Sequence, residues 1–328
     1  MEATIQDWLD IIGKFYMKEF IPSGGSAFKL LLTGSDEESD AALSRVWELA
    51  KSQGFVYAQV RASDTRIDKI DQVFFAVARQ MDWGSLMAQD AVNFLRRHDY
   101  CLPEGASLND TRLIAEANGR EPNDLLAELR RATTQEIVRD RDMCKEFRTA
   151  LAQLRTAQFF PRNVTPSDTE ILQAWLRGDK VSLGALRNLR IYTRIARHNA
   201  RDMLRALTHW IGKSLGTGVV IGLDLSGLLD VRPRSILRDA GLLCYRQDMV
   251  KDAYEVLRQF IDDTDESSHC LICAVAPGAI ETGETRSLQD AYEALYLRLV
   301  NDVHPHDRSN LMASMVRLHS RGVGEEVS

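Results

Sequence analysis

The chain lacks any apolar run of the ~18–20 residues that a bilayer span requires. Its most apolar stretch, residues 218–229, is broken by Asp224. It also lacks a basic excess: 41 Lys and Arg stand against 47 Asp and Glu, a net charge of −6. That balance excludes a global attraction to nucleic acid or to an anionic membrane. The N-terminus has no basic-then-apolar leader and carries Glu2 and Asp7 instead, so a cytoplasmic protein without membrane contact is expected. Cysteine is scarce. Five residues, an odd count without framework spacing, exclude a disulfide scaffold and point to reduced thiols. Cys270-x-x-Cys273 follows His269, but no second Cys/His pair sits nearby. A strand with alternating faces accounts for that pair, and no metal site is expected. There is no internal repeat and no low-complexity segment.

What is present suits a globular protein. A length of 328 residues, 45% hydrophobic and 27% charged, is enough for one large domain or two small ones with a core that needs no staples. Residues 27–33, 55–60, 218–224 and 270–276 read as buried strands. Helices are expected over 1–20, 68–81, 167–177, 200–215, 252–262 and 288–300. Another, after the first strand, carries Leu43, Val46, Trp47 and Ala50 at helical spacing. Strands alternating with helices predict an α/β fold with a parallel sheet covered on both faces. From about Tyr100 the texture becomes helix-rich and charged. The expected division is therefore a first half of the α/β domain at 1–95, a helical insertion at 96–185, a second half at 186–303 and a polar tail at 304–328.

Between the first strand and its helix, where a P-loop would read G-x-x-x-x-G-K-[ST], the chain reads Gly34-Ser35-Asp36-Glu37-Glu38-Ser39-Asp40-Ala41. A P-loop cradles phosphates with inward backbone N–H groups, a lysine on the β/γ-phosphates and a hydroxyl on Mg²⁺. Here only Gly34 is kept. Ser39, Asp40 and Ala41 replace the second glycine, the lysine and the hydroxyl. Carboxylates in the first turn satisfy the same helix-end field that captures phosphate, so Asp36, Glu37, Glu38 and Asp40 would serve as the site's own anions. A plain helix start capped by Ser35 or Asp36 also predicts no ATP. The later strand ends in Asp224, as a Walker B strand would, but the next position is Leu225 rather than a carboxylate. Gly212-Lys213-Ser214 imitates the end of a P-loop, yet Leu207 stands where its first glycine should be, and the segment reads as a helix end.

Two further patterns bear on nucleic acid. From Arg187 to Lys213 there are six arginines and one lysine against one aspartate, a net +6. Arg190, Arg194, Arg197, Arg201 and Arg205 are spaced 4, 3, 4 and 4, which on one continuous helix makes a stripe able to track phosphates. A solvated helix face, or ion pairs to the acidic insert, is the plainer reading, and Asn199 as an N-cap would split the series. Ala115 and Gly119, ahead of a helix from Asn123, form a helix-turn-helix-like pattern that helical hairpins also produce.

Several stretches carry a resemblance. They are Phe20 to Lys29 (FIPSGGSAFK), Gly54 to Ala58 (GFVYA), Asn199 to Arg205 (NARDMLR), Ala253 to Asp263 (AYEVLRQFIDD) and Ala291 to Arg298 (AYEALYLR). On them the chain resembles the ATP-binding P-loop family of bacteriophage-exclusion (BREX) and related methylation-associated defence systems. The resemblance implies an AAA-like fold with a helical insertion, working beside a methyltransferase and other defence subunits. It implies that Asp40 takes the lysine's place, Ala41 that of the Mg²⁺ hydroxyl and Leu225 that of the Walker B glutamate. Ala276 would replace a polar residue at the end of the next strand. The expected function is a non-catalytic, pseudo-ATPase subunit of a prokaryotic anti-phage complex, with no catalytic residues, no cofactor and no bound ATP or Mg²⁺. Its expected partners are other defence subunits, an active ATPase paralogue among them, in an oligomer or hetero-complex. DNA would be touched through the Arg187–Arg205 series. The alternatives are an ATPase with an unorthodox site and a DNA-binding regulator. Arg286, Arg298 and Arg308 are the arginines considered for action on a neighbour's nucleotide.

Overall fold

The structure, a computed structural model, describes residues 4–282, 285–300 and 310–317. The chain divides into two compact units, one from Met1–Val77 with Thr217–Ser328 and one from Ala78–Gly216. In chain order, helix α1 (Ile5–Ile11) runs on as π-helical turns over Ile12–Phe20, followed by β1 (Ser26–Thr33), α2 (Asp36–Ser52), β2 (Val56–Arg61) and α3 (Ile70–Arg79). Next come α4 (Trp83–Arg97), α5 (Thr111–Ala117), α6 (Pro122–Thr133), a π-helical turn (Thr134–Val138), α7 (Lys145–Phe159), α8 (Pro166–Arg177), α9 (Leu183–Asn188) and α10 (Ala200–Leu215). The first unit resumes with β3 (Val219–Asp224), α11 (Arg234–Asp239), α12 (Gln247–Asp262), β4 (Cys270–Pro277), α13 (Leu288–Ala291), α14 (Glu293–Val300) and β5 (Met315–Arg317).

The first unit is an α/β fold. Among the described residues its sheet has five strands, all parallel, in the order β2-β3-β4-β1-β5. The apolar runs of β1, β3 and β4 are nearly continuous because both faces are buried. On one face Leu31, Val220, Leu271, Cys273 and Val275 meet Trp8, Ile12 and Met17 from the first helix and Ala42, Leu43, Val46 and Ala50 from α2. The alternate residues, among them Leu30, Leu32, Val219, Ile221, Ile272 and Ala274, are buried as well. Register sets where the strands end. Thr33 pairs with Pro277, Asp224 with Val275 and Arg61 with Asp224, so four C-terminal ends meet along one edge.

The second unit is helical. Phe94 and Leu95 of α4, Ile114 of α5, Leu125 and Leu129 of α6 and Phe159 of α7 share one apolar cluster. Trp83 stacks on Trp210 with centroids 6.1 Å apart and rings 8° from parallel. Arg155 is buried between Asp90 and Glu136.

Four expectations need correction. The helical unit is wider than 96–185. It takes in α4 and α10, whose apolar faces pack inside it, whereas the change in texture near Tyr100 marks only where the charged helices begin. The expected single helix over 288–300 breaks at Tyr292, which adopts φ −154° and ψ 73° while its hydroxyl bonds Glu255. The polar tail holds a fifth strand, β5. Trp47, expected on the buried stripe of α2, is 44% exposed, with the Lys51 ammonium 5.1 Å from its ring centroid.

Candidate functional site

The edge where the strands end carries a cleft of about 650 Å³. Ligands of open parallel sheets bind at such an edge, because strand-to-helix loops diverge there and leave a crevice. Asp36 and Asp40 of α2 line it, with Arg61 from β2, Asp224 from β3, Pro277 from β4, and Asp230 and Arg232 from the segment before α11. Four carboxylates and two guanidiniums leave the lining net negative.

The turn into α2 decides what the cleft can hold. Only Gly34 and Ser35 separate β1 from α2, so six of the eight residues aligned with a P-loop are helical. This corrects the loop expectation: Ser39, Asp40 and Ala41 lie inside α2 and frame no cradle. Of the two capping alternatives the structure uses Ser35, whose hydroxyl accepts from Glu38 N–H at 3.3 Å. Glu38 reaches back, and its Oε2 accepts from Gly34 N–H at 2.7 Å. A carboxylate therefore sits on the amide that a phosphate would use. Ser39 is buried, its Oγ 2.7 Å from Thr33 Oγ1, and Thr33 Oγ1 in turn lies 3.2 Å from the Ala276 carbonyl. These hydroxyls pin the ends of β1 and β4 to α2. Asp40 points outward and pairs with Arg61 at 2.9 Å. Its own backbone N–H and the Ser35 hydroxyl hold the Glu37 carboxyl below its usual range.

On β3, Asp224 faces the cleft and its Oδ1 accepts from Ser226 N–H at 2.9 Å. Leu225 turns the other way. It is fully buried, and its N–H bonds the Val275 carbonyl at 2.9 Å. A glutamate there would point into the core, so this backbone offers no Walker B general base at that position. Ala276 is buried too. The far wall is held by ion pairs and by backbone. Arg232 binds Asp230 through Nε at 3.0 Å and Nη2 at 2.5 Å, which keeps the Asp230 carboxyl low. Arg286 donates to the carbonyls of Leu228, Asp230 and Tyr245 at 3.2, 2.6 and 2.9 Å. Gly227 is required by packing, since a Cβ there would stand 2.7 Å from Ser63 N.

The remaining predicted residues lie elsewhere. Arg187 is on α9, Arg190 follows it at φ 58°, Arg194 and Arg197 lie in the non-helical residues before α10, and Arg201 and Arg205 are on α10. The single-helix stripe is therefore corrected. Asn199 splits the series by accepting from Ala196 N–H and donating to the Arg194 carbonyl. Arg298 pairs with Asp262 at 2.6 Å, and Arg308 lies outside the described residues. Lys213 of the false P-loop ending lies within α10 and binds Asp140. Ala115 and Gly119 belong to the α5–α6 hairpin, where Gly119 has φ 62°. Cys270 and Cys273 are buried on β4, which pushes both thiols up to about 12.

Sequence reasoning missed Arg61, Asp230, Arg232 and Gly227. Arg61 had a signal, because it ends a strand and parallel strand ends converge. Asp230 and Arg232 lie in a loop without periodicity, and nothing in the sequence marks them. No known family, curated protein or solved structure matches the chain.

Proposed function

We propose that the chain is a nucleotide-free, P-loop-like scaffold: an AAA-like, non-catalytic subunit of a prokaryotic anti-phage complex of the BREX type. The AAA-like reading is supported by a central strand, β1, that turns directly into α2, and by an aspartate ending β3, two places along the sheet. The helical unit inserted between the two halves of the α/β unit supports it as well. The defence assignment rests on the sequence resemblance, and the partners it implies are other defence subunits.

One observation carries the loss of catalysis: the Glu38 carboxylate occupies the Gly34 amide at 2.7 Å. Added to this, both guanidiniums of the cleft already hold carboxylates. A triphosphate would have to displace an anion, break ion pairs and approach a net-negative lining, with no lysine among the described lining residues to compensate. The test is calorimetric titration of Mg²⁺-ATP, then ADP, into the purified chain. No heat and no rise in melting temperature are expected. Micromolar binding, or hydrolysis that Asp224→Ala abolishes, would overturn the reading. A gene neighbourhood with neither methyltransferase nor nuclease would remove the defence assignment.

A further inference from the structure

In the helical unit, Asp140 follows the π-helical turn after α6, Asp142 lies two residues on, and His209 projects from α10. Their ligating atoms lie within 4.8 Å of one another. His209 Nε2 is 3.1 Å from Asp140 Oδ2 and 4.0 Å from Asp142 Oδ2. Around a tetrahedral Zn²⁺ with bonds of about 2.0–2.2 Å, neighbouring ligand atoms stand roughly 3.3 Å apart. The first distance fits as it stands. The second closes with a side-chain rotation of Asp142, which is 78% exposed.

Asp140 is oriented as a ligand needs to be. Its Oδ1 accepts from Asp142 N–H at 3.0 Å, and its carbonyl accepts from Arg148 Nη1 at 2.9 Å, leaving Oδ2 directed at His209. Supporting bonds of this kind fix the geometry of metal ligands. The Asp140 side chain is only 4% exposed and already draws in a cation: Lys213, one turn beyond His209 on α10, places Nζ 2.6 Å from Oδ2. That ammonium rides on a side chain 49% exposed, so it can swing into solvent.

We propose that Asp140, Asp142 and His209 form a divalent transition-metal site that Lys213 fills when metal is absent. One imidazole and two carboxylates suit Zn²⁺, and three protein ligands leave a position for water. Binding needs no oxidant and breaks no covalent bond: the ion takes the place of the ammonium, and His209 coordinates as neutral imidazole. The proposal is independent of the nucleotide reading.

The experiment is titration of Zn²⁺ into the whole chain, followed by calorimetry, with Co²⁺ as a spectroscopic substitute. One equivalent binds, and the melting temperature rises with metal concentration. His209→Gln loses binding, Asp142→Asn weakens it, and Lys213→Met tightens it by removing the competitor. Asp142→Asn changes only an exposed side chain, so it keeps the test valid if His209→Gln fails to fold. Absence of saturable binding in both the parent and Lys213→Met would overturn the proposal. So would binding unchanged by His209→Gln and Asp142→Asn, or a Co²⁺ spectrum with a thiolate charge-transfer band.

Discussion

At the scale of single residues, the energetics are concentrated away from the cleft. Arg61 and Asp40 are 45% and 59% exposed, and such a pair contributes about 0–1 kcal/mol. Arg155 and Asp90 are 1% and 0% exposed and share two bonds of 2.7 Å, with Arg155 also 4.6 Å from the Phe94 ring centroid and 2.9 Å from Glu136. Removing one partner strands a buried charge. Arg155→Met should therefore cost about 3–5 kcal/mol, and the double change with Asp90→Leu should recover much of it. Urea unfolding of the two variants measures this, and an Arg155→Met variant within 1 kcal/mol of the parent would contradict it. Asp40 and Arg61 thus shape the cleft's charge, while Arg155 holds the helical unit together.

At the scale of elements, β1 to β4 could be read from the sequence and β5 could not. β1, β3 and β4 are apolar runs because helices cover both of their faces. α10 showed its period clearly and matches its expected bounds. β5 has three residues and no run. It exists because β1 supplies its hydrogen bonds and because the Lys29 ammonium reaches the carbonyls of Met312 and Ala313 at 2.5 and 3.2 Å. Such a long-range contact leaves no local pattern. Lys29→Met should speed amide exchange at Val316, whose N–H faces β1, while leaving β3 and β4 protected. Unchanged exchange would mean that strand pairing alone holds β5. The first turn of α2 misled for a different reason. The eight-residue alignment assumed a loop, whereas Asp36, Glu37 and Glu38 are favoured where helix dipoles begin, and they extend the helix back to within two residues of the strand. The arginine spacing failed because it presumed a continuous helix, which Arg190 and Asn199 interrupt.

At the scale of the whole molecule, the α/β class was readable from the alternation of elements, and the helical insertion from its charge. The boundaries were not, because amphipathic helices such as α4 and α10 carry the same pattern in either unit. The grouping of Asp140, Asp142 and His209 was equally hidden, since His209 lies far along the chain from the two aspartates. The apolar cluster, the Trp83–Trp210 stack and the Arg155 network are all internal to residues 78–216. A fragment of those residues should therefore fold alone and melt cooperatively by circular dichroism. A non-cooperative, weakly helical fragment would show that its stability comes from the rest of the chain.

The two cysteines of β4 give this protein a clock. β4 is the middle strand of the five, and both thiols are sealed within it, while Cys101 is open to solvent. An alkylating reagent would mark Cys101 at once but would wait at Cys270 and Cys273 until the sheet itself comes apart. The lag between the two labels is the lifetime of the closed sheet, read from thiols the chain already carries.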